Sequence, residues 1–148
     1  MERLDKRIVK YLEDKGIEFE VHDRNFVDKL IIFECTLAAG VLWRVFLVVD
    51  EQERYVTCYA LFDGHVPEDR RPEMLAFICD VNYFDLIGNW EMHRENGDLR
   101  YKTSVAVGNE ALTDNKIDAL VANNLAAAES DVPGRGRLSN NDYSKVQH

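Results

Sequence analysis

Apolar residues recur at helical spacing in three stretches of this chain and at strand spacing between them. Leu4, Ile8, Tyr11 and Leu12 mark a first helix from about Glu2 to Lys15. Gly16 suits the left-handed stop that follows many helices. At Ile17 the period drops to two. Ile17, Phe19 and Val21 alternate with Glu18, Glu20 and His22, the pattern of a half-buried strand. Asp23-Arg24-Asn25 turns the chain into a second strand, Val27 to Leu37. Ala39-Gly40 leads to a third, Val41 to Val49, whose few polar positions predict a central place in the sheet. Asp50-Glu51-Gln52-Glu53 is a polar turn, and Tyr55 to Phe62 a fourth strand ended by Asp63-Gly64-His65. Short polar connections between consecutive strands predict an antiparallel meander.

From Val66 to Leu125 the pattern reads helix, hairpin, helix. Pro67 and Pro72 are tolerated only in a first helical turn, which puts the second helix start near Asp69 to Pro72, or one turn earlier at Pro67. Met74, Phe77, Ile78, Val81 and Phe84 make its apolar face, and Gly88 ends the segment. A hairpin follows from about Asn89 to Val107. Asn96-Gly97 predicts a tight type I′ turn, in which both central residues have positive φ. Trp90 and Met92 alternate with Glu91 and His93; Leu99, Tyr101, Thr103, Val105 and Val107 alternate with Arg100, Lys102 and Ser104. Trp90 and Tyr101 are expected to meet across it. Thr113 caps the last helix and Leu112 staples onto Ile117. Ile117, Leu120, Val121, Leu125 and Ala128 share a face, with Asn123-Asn124 expected on the surface. Pro133-Gly134-Arg135-Gly136 ends any helix, and the polar run from Leu138 to His148 reads as a loose tail.

These assignments give an α+β fold, an antiparallel sheet with helices in the order α-β-β-β-β-α-β-β-α. Residues 1–130 form one domain and 131–148 a polar tail. The expected core runs through Ile8, Leu12, Phe33, Val45, Leu47, Phe77, Ile78, Trp90, Tyr101 and Leu120.

Charge narrows the partners. Lys and Arg number 18 against 27 Asp and Glu, a net charge of −9. Phosphate neutralisation needs a basic face, so nucleic acid is not an expected partner; Arg70-Arg71 and Arg135/Arg137 are short and far apart. Three cysteines, Cys35, Cys58 and Cys79, sit in apolar runs without a C-x-x-C spacing, which favours buried thiols in a reducing cytoplasm over a disulfide framework. No run approaches the roughly 20 apolar residues of a membrane span, and the first residues lack the apolar stretch of a secretory signal.

Chemistry-bearing motifs are absent. His22, His65, His93 and His148 form neither H-x-x-x-H nor H-E-x-x-H. The loop Asp63-Gly64-His65-Val66-Pro67-Glu68-Asp69 offers oxygen and imidazole ligands, yet acids there are explained by the positive end of the helix that follows. Gly108-Asn109-Glu110 and Gly134-Arg135-Gly136 lack the spacing of phosphate loops. The expectation is no catalytic residue, no metal and no cofactor.

Val66-Pro67-Glu68-Asp69-Arg70, Asn82, Gly88 and the run Gly97-Asp98-Leu99-Arg100-Tyr101-Lys102-Thr103-Ser104 resemble the YbjN family of bacterial proteins. That family is similar in fold to type III secretion chaperones, and the resemblance covers about Arg3 to Leu125. It implies a cytoplasmic, dimeric α+β domain without catalytic residues, often labelled a regulator. The stretch Glu129-Ser130-Asp131-Val132-Pro133-Gly134 departs from the family's longer last helix. The expected function is a homodimeric module that docks a protein segment, by strand addition or in a groove. A small-ligand protein or an enzyme with an unfamiliar site is the alternative. A domain acting only within a larger assembly is a third.

Overall fold

Alternation along the third strand sets the plan of the molecule. Trp43, Val45, Leu47 and Val49 are fully buried, while Arg44, Phe46 and Val48 between them are half-buried on the opposite face. A period of two therefore sends one face of the sheet into a core and leaves the other with a different fate.

The computed structural model describes residues 1–25, 28–37 and 40–130. In chain order the elements are α1 (Leu4–Asp14), β1 (Glu20–Asp23), β2 (Asp28–Thr36), β3 (Leu42–Asp50), β4 (Tyr55–His65), a 3-10 turn (Glu68–Arg70), α2 (Arg71–Phe84), β5 (Asn89–Met92), β6 (Asp98–Ala106) and α3 (Asp114–Ser130). The six strands form one sheet in the order β1-β2-β3-β4-β6-β5, with every neighbouring pair antiparallel. The β1–β4 meander, the β5–β6 hairpin and the inner place of β3 agree with the periodicity; the pairing of β4 with β6, which joins meander to hairpin, goes beyond it. The strand starting at Val27, the turn at Ala39 and the tail from 131 onward involve residues outside the described set.

All three helices pack on the same sheet face. Under α1 and α3, Ile8, Leu12, Ile117 and Leu120 meet Ile31, Phe33, Val45 and Leu47. Under α2, Met74 and Ile78 meet Trp43, Ala60, Trp90, Leu99 and Tyr101. Leu125 touches both groups. Trp90 pairs with Tyr101 across the hairpin, their rings 5.2 Å apart and edge-on, and Trp43 lies 6.3 Å from Trp90. Such aromatic pairs add about 0.5–1.5 kcal/mol each beyond area burial. Nine of the ten expected core residues are buried; Phe77 is half-buried.

Local chemistry fixes the helix ends. Gly16, at φ +70, and Ile17 return their N–H groups to Glu13 and Leu12, closing α1 with a Schellman turn. Glu51 accepts from the N–H groups of Leu4 and Asp5 at 3.0 and 2.7 Å and so caps α1 from the β3–β4 turn. Thr113 Oγ1 accepts from Lys116 N–H at 3.2 Å, capping α3 as expected.

Four expectations need correction. The hairpin loop is not a two-residue type I′ turn. Among the described residues Arg54 alone of the non-glycines has positive φ, so Asn96 does not. His93–Gly97 form a five-residue loop in which Gly97 N–H donates to His93 O and Asp98 N–H to Asn96 Oδ1. Gly97 is selected by contact: at φ +77, a Cβ there would sit 2.2 Å from Val66 O. β1 is shorter than the alternation implies. Ile17 and Phe19 pack on the core ahead of it, and Val21 is exposed at the sheet edge. β4 runs on through Asp63-Gly64-His65, because a shift of register between Leu61 and His65 absorbs the extra residues. Asn124 is fully buried, not on the surface. Its Nδ2 donates to Cys58 O, Tyr101 O and Thr103 Oγ1 at 3.1, 3.3 and 3.0 Å, and Thr103 Oγ1 donates to Leu120 O at 2.9 Å.

Candidate functional site

Among the described residues no three His, Cys, Asp or Glu side chains gather to hold a metal ion. His22 is exposed beside Glu20, His93 lies in the exposed hairpin loop, and His65 ends β4; His148 is outside the described residues. Cys58 is buried, and burial pushes its thiol up to about 12, so it stays protonated and unreactive. Burial, helped by the charge of Glu129, raises Cys35 as well. Cys79, expected on the inner side of α2, is instead exposed.

The sheet face opposite the helices is bare of any described element. β2 contributes Leu30 and Ile32 to it, β3 Phe46 and Val48, β4 Tyr59 and Leu61, all in register across the strands. A groove of about 710 Å³ runs over this face toward the hairpin, with Arg24, Glu91, Met92, His93, Asp98 and Arg100 as its other walls. Two arginines of this face lie over its rings. The Arg100 guanidinium sits 4.1 Å from the Tyr59 ring centre, and that of Arg44 sits 5.4 Å from the Phe46 ring. Each has a carboxylate: Arg100 Nε donates to Glu91 at 2.8 Å, Lys102 reaches the same Glu91 at 3.3 Å, and Arg44 lies 3.7 Å from Glu34. The groove thus offers an apolar and aromatic floor beside arginines, Arg44 and Arg100, that each face a carboxylate. Among the described residues its lining includes no cysteine, serine or threonine.

Strand addition has less to work with. β1, at one edge, has four residues, all exposed; His22 pairs with Glu20, and Lys29 pairs with Asp23. At the other edge Asn82 of α2 holds β5. Its Oδ1 accepts from Trp90 N–H at 2.8 Å and its Nδ2 donates to Trp90 O at 2.9 Å, satisfying the outward backbone groups of that residue.

A second apolar surface was not legible in the sequence. α2 turns Met74 and Ile78 inward but shows Leu75, Cys79 and Tyr83 outward, and Phe84, expected on the inner face, is also exposed. Tyr83, Phe84, Leu86 and Ile87 are 82, 79, 98 and 61% exposed. The loop that carries them is held firmly. Asp85 Oδ1 accepts from Ile87 and Gly88 N–H at 2.9 and 3.2 Å, and its Oδ2 accepts from Tyr101 O–H at 2.8 Å. A Cβ at Gly88 would lie 2.2 Å from Lys102 O, so only glycine lets the loop pass β6 this closely.

No helix among the described residues is long and apolar enough to cross a membrane. Comparison with known proteins places the chain beside a family and a solved fold. The model of the YbjN family, described as "Putative bacterial sensory transduction regulator", matches residues 5–134. A solved structure titled "Crystal structure of YbjN, a putative transcription regulator from E. coli" superposes with a TM-score of 0.62 at 13% sequence identity, covering 95% of each chain. At that identity the likeness concerns the fold. No curated protein matches.

Proposed function

This chain belongs to the YbjN family, and from that premise we propose that it is a non-enzymatic regulator, a homodimer that works by docking a protein segment on its bare sheet face. The observation that carries the reading is the placement of all three helices on one side of a six-stranded sheet whose other side is floored by Leu30, Phe46, Val48, Tyr59 and Leu61. An apolar face of this kind on a soluble domain marks an interaction surface. The two protected edges favour groove binding over strand addition. Net charge of −9 selects a segment with basic residues beside its apolar ones, drawn in at low salt. Residues 1–130 form the binding unit, and the three unpaired thiols suit a reducing cytoplasm.

The test uses fluorescently labelled peptides that alternate apolar residues with lysine, and matched peptides with glutamate. Fluorescence anisotropy at low and high salt should show the lysine series binding, weakening with salt, and weakening roughly 10-fold or more in Phe46→Glu and in Tyr59→Ala. Binding that ignores both substitutions would remove the groove from the reading. A small anionic or aromatic metabolite that stabilises the fold, with every peptide inert, would put the small-ligand alternative in its place.

A further inference from the structure

We propose that the outer stripe of α2 and the tip that follows it, Tyr83 to Ile87, form the seam at which a second copy of this chain docks, on a surface separate from the groove. This rests on the homodimeric reading above and specifies where it is built.

The tip is constructed, not frayed. Asn82 ties the end of α2 to β5, Asp85 folds the loop back on itself and onto Tyr101, and Gly88 lets it lie against β6. Their joint result is to hold Leu86, at 98% exposure, out in solvent. A side chain displayed by so many directed bonds is pre-organised for contact, which reduces the ordering cost of association.

Area selects a second copy. Four large apolar side chains at 61–98% exposure present on the order of 600 Å². That reaches the upper end of the largest apolar patch on an ordinary monomer, and approaches the ~800 Å² per partner of a standard interface. Leu75 and Cys79 extend it. With Tyr83 they stand at i, i+4 and i+8, a straight row of roughly 12 Å along the side of α2 away from the sheet. Such a row is self-complementary under a two-fold axis. An antiparallel copy sets the bulky tip of one α2 over the small Ala76 and Cys79 of the other.

Charge gives the seam a signature of its own. Two copies at −9 repel, so salt should tighten an apolar seam between them, whereas salt should weaken capture of a basic segment in the groove. The two surfaces therefore respond to ionic strength with opposite signs.

Sedimentation equilibrium of the full chain tests this, with Leu86→Asp and Tyr83→Glu at the seam and Phe46→Glu in the groove, each checked by far-ultraviolet circular dichroism. The expected result is a dimer for the wild type, tighter at high salt. Both seam variants should dissociate with a Kd raised ~100-fold or more and an unchanged spectrum, and Phe46→Glu should remain dimeric. A wild-type dimer that persists in both seam variants overturns the seam and leaves the homodimer standing. A wild type that stays monomeric at ~100 µM overturns the seam and the homodimeric reading together, while groove binding is judged by its own peptide assay.

Discussion

Asn82 on α2 pairs with Trp90 on β5 through both backbone groups of the tryptophan, in the way a neighbouring strand would. One side chain thus ties the last turn of a helix to a sheet edge, just ahead of the apolar tip. Asn82→Ala leaves the Trp90 N–H and C=O without this partner and should cost about 1–3 kcal/mol in urea unfolding. Asn82→Asp keeps the acceptor and loses the donor, and should cost less than the alanine.

Leu47 is fully buried in the centre of β3, opposite Ile31 and Cys58. Leu47→Ala should lower stability by about 2–5 kcal/mol, the spread depending on how far α1 and α3 settle into the space. A melting temperature equal to that of the wild type would contradict this placement.

Arg54 holds a left-handed backbone at φ 61 in the β3–β4 turn, and its guanidinium donates to the carbonyls of Gly108, Glu2 and Glu110 at 2.8, 3.0 and 3.3 Å. Arg54→Ala loses the three bonds and keeps the strained φ. Arg54→Gly loses the same bonds but relieves about 1 kcal/mol of strain. Chemical denaturation should therefore rank wild type above glycine and glycine above alanine.

Tyr11 joins α1 to α3 by donating its hydroxyl to Asp118. Burial first, then the Asp118 carboxylate, raises its phenol well above the ordinary 10.0. The folded state thus keeps a proton that the unfolded chain gives up. Its contribution is whole below pH 10, where both forms are protonated, and is lost as pH rises toward the folded value. Stability followed from pH 8 to 12 should fall above about 10 in the wild type, and less steeply in Tyr11→Phe.

The meander, the hairpin and the inner place of β3 are legible in the sequence because period-two alternation, short polar turns and a near-continuous apolar run each point one way, whereas nothing in it pairs β4 with β6. The sequence also singles out Asn82 and Gly88, whose roles are visible only when Trp90 and Lys102 come near. The two surfaces proposed for docking are less legible for definite reasons. The helical period gives α2 an inner face through 74, 77, 78 and 81, but 75, 79 and 83 are apolar as well and Phe84 falls outside, so the pattern does not show that a second stripe stays bare. Asn96-Gly97 fits both a two-residue turn and a five-residue loop, and the choice falls to the approach of Gly97 to Val66, 31 residues away in sequence. Asn124 reads as surface because an Asn-Asn pair is polar, while its partners Cys58, Tyr101 and Thr103 lie on two separate strands.

That buried Asn124 acts as an index mark. The helix it sits on otherwise meets the sheet through apolar side chains, Ile117, Leu120, Val121 and Ala128, whose packing is non-directional and sets no single offset. An amide that must meet two strand carbonyls and one threonine hydroxyl at once leaves a single offset open. The groove and the tip are then kept in constant relation to each other, since α3 locks β4 and β6, the strands that carry Tyr59, Leu61 and Arg100 on one side and anchor the Asp85 loop through Tyr101 on the other. If both proposed surfaces take partners, occupancy of one can be felt at the other only through a body that does not slip, and this asparagine is placed to hold that body in register.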